Sequence, residues 1–279
     1  MKDKKGYLKK LEGSMKEKLF FVEHLDLNNK IVVDFGCANA ALIKHLMAMG
    51  FENTTYIGIE RDEDFFNECV RLREENPNFE IFSGLGETDL FIRTERVFRK
   101  DTRKVVFICS SVLHEVTEKM FKWIVGWAHA NADYFVIRDM YLDLDSYEID
   151  EDDDELCIKP FLYKDYVHKL LSNPTYVPYL SDFAEKRGSF TDKDLCEFLL
   201  KYRYIQNWDT EVEEKYFSVD WRFIENMNDA IIMYRNEYTN NFIKRQVKEE
   251  FDINIHWPTH KQLILKIAKS WEDYFENEQ

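Results

Sequence analysis

An α/β fold, with a doubly wound and mostly parallel sheet, is predicted by three features of this 279-residue sequence. Short apolar runs alternate with helical patterns from residue 31 to residue 137, as strands covered on both faces require. The first run, Ile31-Val32-Val33-Asp34-Phe35, breaks at Gly36 and passes into a helical pattern. A strand, a tight turn and a helix start in that order form a ligand-binding crossover. The next run, Thr55-Tyr56-Ile57-Gly58-Ile59, ends on Glu60, which puts an acid at a second strand tip.

The elements follow in order. Residues 1–12 are Lys-rich and read as a solvated terminus, or as an arm for phosphate. Ser14-Met15-Lys16-Glu17 has the form of a capping box, with Leu19, Phe20, Phe21, Val22 and Leu25 as the apolar face behind it. Strands are predicted at 31–35, 55–60, 80–82, 104–109 and 134–137. Helices are predicted at 39–49, 62–75 and 116–131, with Pro77 closing the second. A charged amphipathic segment covers 88–101.

The alternation stops after Asp139. Nine acids between 143 and 155 read as a solvated loop. Its Asp-x-Asp start lacks the Gly and the final Glu of a calcium loop, so no metal site is predicted. Residues 159–228 read as mainly helical, with Thr191 as an N-cap and Tyr202, Arg203, Tyr204 and Trp208 clustered near its end. Those four form either ordinary helix packing or the wall of a substrate site. Strand 230–234, helix 240–250 and strand 261–267 restore the sheet pattern. The expected division is a sheet domain of 1–139 and 229–279, and a helical insertion of 140–228 after the fifth strand. An insertion there lies beside the sheet edge where ligands bind, and suits a lid or substrate subdomain.

The glycines bear on which ligand. A dinucleotide fingerprint needs G-x-G-x-x-G so that backbone can approach a pyrophosphate. Here Gly36 stands alone, followed by Ala38 and Ala40, and no P-loop pattern exists. A carboxylate at Glu60 suits a ribose diol. An adenosine cofactor without pyrophosphate, S-adenosylmethionine rather than NAD, fits best. The plain alternative is a Gly turn in a crossover that holds no ligand.

Composition narrows the partners. The net charge is −15, from 53 acids and 38 bases, which disfavours extensive nucleic-acid binding. Five scattered cysteines (37, 69, 109, 157 and 196), with no C-x-x-C, read as free thiols of a reducing compartment. No apolar run reaches membrane-spanning length, so a cytoplasmic protein without membrane contact is expected. Nothing in the sequence speaks to oligomeric state.

Several segments resemble a group of bacterial and bacteriophage class I S-adenosylmethionine-dependent methyltransferases. They are Lys18-Leu19-Phe20-Phe21, Asp34-Phe35-Gly36-Cys37-Ala38, the run from Ser110 to Val116, and Ile137-Arg138-Asp139-Met140. The run from Phe198 to Tyr204, Asn207-Trp208 and Thr259-His260 extend the likeness over nearly the whole chain. The resemblance implies a Rossmann-like, seven-stranded sheet and S-adenosylmethionine as cofactor. It leaves the methyl acceptor unidentified. The cofactor loop would be Asp34, Phe35, Gly36, Cys37 and Ala38, with Asp34 and Gly36 nearest the amino-acid tail. Glu60 would take the ribose, and Arg61 and Asp62 would flank the adenosine. Ser83 and Gly84 would lie at the adenine edge, and Cys109 and Ser110 by the methionine portion. The group reads D-F-G-C-A-D-G where this chain has Asn39 and Ala40 in the last two places. Asn39 retains a capping side chain, whereas Ala40 lacks the freedom of Gly at positive φ.

His114 follows the fourth strand and is the candidate base; the alternative is a structural hydrogen bond. Glu115 is the better helix cap. Arg138 and Asp139 leave the fifth strand together and are expected to pair with each other or to orient a charged acceptor. A small-molecule or protein acceptor suits the charge. Two rivals stand beside this enzyme: a binding or assembly protein that keeps the fold without catalysis, and a nucleic-acid methyltransferase using the basic N-terminus.

Overall fold

A computed structural model describes residues 14–84, 101–143, 162–188 and 190–268. The expected features at 1–12, 88–100 and 144–161, with Cys157, lie outside them. Seven strands form one sheet: β1 (Lys30–Phe35), β2 (Thr55–Glu60), β3 (Phe79–Ser83), β4 (Lys104–Ser110), β5 (Tyr134–Met140), β6 (Ala230–Tyr238) and β7 (His260–Ile267). Their order is β3-β2-β1-β4-β5-β7-β6. The first five are parallel and β7 is antiparallel. A seven-stranded, mostly parallel sheet is what the sequence leads one to expect.

The strand order reverses between β1 and β4, which pair from Lys30↔Lys104 to Phe35↔Cys109. A crevice opens at the carboxyl ends of strands at such a reversal. Registers bring Asp34 level with Gly58 and with Ile108, and Glu60 level with Ser83. The sequence positions that matter are therefore neighbours at one sheet edge.

Helices α1 (Met15–Lys18), α2 (Ala41–Ala48), α3 (Glu63–Glu75) and α4 (Glu118–Asn131) accompany the first five strands. Leu42, Ile43 and Leu46 of α2 join Val32, Tyr56, Phe79, Val106 and Ile108 in one apolar core. Asp62 caps α3 by accepting from the Phe65 amide, and Thr117 caps α4 by accepting from Met120. The capping box expected at Ser14 does not form: its side chain makes no cap bond, and Glu17 is engaged by Arg138 instead. The helix is four residues long and passes into a 3₁₀ turn at Phe20–Glu23.

The chain divides into two compact units. Of the described residues, one comprises 14–84, 101–139, 220–236 and 262–268; the other comprises 140–143, 162–188, 190–219 and 237–261. The second contains α5 (Leu162–Leu171), α6 (Val177–Arg187), α7 (Asp192–Lys201), α8 (Trp208–Glu211) and α10 (Asn241–Phe251). α9 (Trp221–Glu225) belongs to the first. Thr191 and Asp194 form the capping box of α7. Sequence grouped residues 241–251 with the sheet domain. Their apolar stripe, Ile243, Val247 and Phe251, instead packs with Leu195, Leu199 and Tyr202 in the core of the helical unit. Among the described residues no helix is long and apolar enough to cross a membrane.

Candidate cofactor site

The loop after β1 is built to keep its amides inward. Gly36 has φ +72°, and a Cβ there would come within 2.5 Å of Val112 Cγ2. Only glycine fits. The Gly36 and Cys37 amides both donate to the Ile59 carbonyl, at 2.9 and 3.1 Å. The Ala38 amide donates to Glu60 Oε2 at 2.7 Å. Glu60 Oε1 accepts from the Arg61 and Asp62 amides at 2.8 Å each. Glu60 thus clamps the loop to the tip of β2. None of the three loop amides is left to cradle a phosphate, which a pyrophosphate ligand would need.

Ala38 and Ala40 hold the loop at φ +47° and +58° without glycine. The left-handed conformation is therefore retained at Ala40, at a cost of about 1–2 kcal/mol for an L residue. Cys37 turns its side chain beneath the loop: its Sγ lies 2.8 Å from where a Cβ on Gly58 would stand. Cys69 Sγ from α3 donates to the Ala38 carbonyl at 3.2 Å.

Asp34 in β1 and Lys18 in α1 are both buried charged side chains. Asp34 is 4% exposed and Lys18 is 8% exposed. Neither side chain makes a hydrogen bond or ion pair with a described residue. Burial pushes the Asp34 carboxyl up to about 7, opposed by the Lys18 charge and reinforced by Glu60. Burial, with Arg138, lowers Lys18 to about 8, opposed by Asp34, Asp139 and Glu115. Asn39 Oδ1 and Ser110 Oγ are also buried with no partner. Unpaired buried polar groups are costly, and their gathering at strand tips fits a polar ligand. The donors and acceptors present, one cation and one carboxylate, fit the amino-acid end of S-adenosylmethionine.

His114 stands on a 3₁₀ turn, Leu113–Glu115, behind β4. Its Nδ1 lies 2.5 Å from Asp139 Oδ1. Asp139 Oδ2 accepts from the Val112 and Leu113 amides at 3.1 and 2.7 Å. Asp139 is fully buried and Arg138 is 3% exposed. Arg138 donates to Ser111 Oγ at 2.6 Å and pairs with Glu17 at 2.9 Å. Arg138 thus engages Ser111 and Glu17, and Asp139 engages His114 and the turn after β4. Glu115 faces Arg61 at 3.7 Å, and burial raises its carboxyl.

The remaining candidates divide. Glu60, Arg61, Ser83 and Gly84 come together, with the Gly84 amide on the Glu60 carbonyl at 2.8 Å. Phe35 packs its ring 6.2 Å from that of Phe107. Cys109 is fully buried, and burial drives its thiol well up. Sequence reasoning missed Lys18, Gly58 and Val112. The trace of Lys18 in the sequence is its place at the head of Lys18-Leu19-Phe20-Phe21, where no site role was assigned to it.

Neither a family model nor a curated protein matches this chain. Solved structures do. An O-methyltransferase family 2 protein from Planctomyces limnophilus, in complex with apigenin, is 11% identical; it covers 95% of this chain and 62% of its own, with a TM-score of 0.49. PKMT2 from Rickettsia typhi, in complex with AdoHcy, is 12% identical over 88% of this chain and 50% of its own, with a TM-score of 0.46. The N-terminal domain of EvdMO1 with SAH bound is 17% identical over 49% of this chain and 54% of that one, with a TM-score of 0.37. The chain thus spans between half and just over three-fifths of the length of these structures.

Proposed function

We propose that the protein binds S-adenosylmethionine at the tips of β1, β2 and β4 and catalyses methyl transfer to a small-molecule or protein acceptor. The observation that carries this is Asp34: a carboxylate at the strand-order reversal, buried and without a side-chain partner among the described residues. The loop beside it has its amides turned inward, which favours a ligand without pyrophosphate.

When bound, the cofactor supplies an electrophilic methyl on a sulfonium. The chain's residues do the rest. Asp34 accepts from the ammonium of the amino-acid end. Glu60 fixes the loop and keeps acceptor capacity for a ribose hydroxyl. Ionised Asp139 accepts from Nδ1–H of His114, which leaves the basic lone pair on Nε2. His114 then takes the proton of the acceptor heteroatom as it is methylated. Asp139 is a positioning residue in this scheme, and Arg138 holds Ser111 and Glu17 in place. Alignment supplies much of the rate, because methyl transfer is an in-line displacement. The net charge of −15 favours an acceptor other than a long nucleic acid.

The test has two stages. Calorimetric titration with S-adenosylhomocysteine should show one saturable site. Methyl-labelled cofactor incubated with fractionated extract should then label the small-molecule or protein fraction, and His114→Ala should remove most of that label. Folded protein that binds neither S-adenosylmethionine nor S-adenosylhomocysteine would end the proposal.

A further inference from the structure

We infer that Lys18 is the receptor for the carboxylate of the cofactor's amino-acid end, and so selects an intact amino acid over a simple amine. This rests on the cofactor reading above. Lys18 is 8% exposed and has no partner among the described residues. A lysine buried only to offset Asp34 would make a contact ion pair with it, and none forms within 4.0 Å. Instead a cation and an anion feel one another's charge while neither head is hydrogen-bonded to a described residue. A zwitterion satisfies both at once: its ammonium takes Asp34 and its carboxylate takes Lys18.

The neighbouring cations are unsuited to the role. Arg138 is spent on Ser111 and Glu17. Arg61 is 68% exposed and faces Glu115. Lys18 is also held in place in advance. Glu17, the residue before it, is fixed through its side chain by Arg138 and through its carbonyl by Gln262 Nε2 at 2.8 Å. A preset cation loses little freedom on binding.

The probes are S-adenosylhomocysteine, its decarboxylated analogue and 5′-methylthioadenosine, which lacks the amino-acid end. They are titrated into the full chain and into Lys18→Met. Wild type should prefer S-adenosylhomocysteine over the decarboxylated analogue by roughly tenfold to a hundredfold, the range for one charge-assisted contact. Lys18→Met should erase that preference and leave methylthioadenosine binding unchanged. Lys18→Arg should keep part of it. Folding is reported separately, because removing an unpaired buried charge should raise, not lower, the melting temperature of the free variant. A wild type without the preference, or a Lys18→Met that retains it, overturns the assignment while the cofactor reading stands. If wild type binds none of the three, the cofactor reading itself has failed.

Discussion

Asp34 and Lys18 make the site costly to the free protein, and the cost depends on pH. The Asp34 carboxyl lies at about 7 against an ordinary 3.8. The folded chain therefore holds a proton there that the unfolded chain has released, and stability falls as pH rises from about 4 to about 7. The loss is at most about 4 kcal/mol. Lys18 works in the other direction: at about 8 against 10.5, it regains stability as pH rises from about 8 towards 10.5. Both groups are charged between pH 7 and 8, so ligand-induced stabilisation should peak there. Urea unfolding across this range should show Asp34→Asn losing the decline between pH 4 and 7. An unchanged slope in that variant would mean that Asp34 is not the titrating group. None of this was visible in sequence beyond Asp34 as an acid before a glycine. Burial and opposing charge come from Lys18, sixteen positions earlier on another element.

At the scale of the element, the loop between β1 and α2 is a strained turn pinned from below. Ala40→Gly relieves a left-handed alanine and should stabilise the protein by about 1 kcal/mol, read as a rise in melting temperature. A fall would show that the Ala40 methyl, fully buried, contributes more by packing than it costs in backbone strain. Gly58→Ala should disturb the same loop from beneath, because its Cβ would meet Cys37 Sγ at 2.8 Å and Ile81 Cδ1 at 3.0 Å. Cofactor affinity should drop in Gly58→Ala and recover in Gly58→Ala with Cys37→Ala; a drop without recovery would place the damage at Ile81. Local signals were read well here. Apolar runs located all seven strands, and Thr191 announced its helix. Ser14 misled because its Glu17 answers Arg138, 121 positions away. No local pattern encodes such a partner, and the same holds for Val112 over Gly36.

At the scale of the whole chain, each of the two units has its own core. The helical unit is organised around Lys201, which is fully buried, paired with Glu197 at 3.0 Å and bonded to the Glu211 and Glu214 carbonyls at 2.6 and 2.5 Å. Lys201→Met leaves those carbonyls unanswered and should cost this unit about 3 kcal/mol, followed by Trp208 fluorescence in urea. A neutral outcome would show that Arg187, which also reaches Glu197, carries the network alone. The fold class was legible in the order of runs. The allegiance of α10 was not, since its stripe specifies an apolar partner without naming one.

The most direct test of the site is calorimetric titration of S-adenosylhomocysteine into wild type and Asp34→Asn at pH 8. Glu60→Ala is the weaker control, because Glu60 also ties down three backbone amides and its loss would disorder the loop. One-site binding in wild type, weakened about tenfold or more in Asp34→Asn, is the expected result. Equal binding by the two proteins, or none by folded wild type, would contradict it.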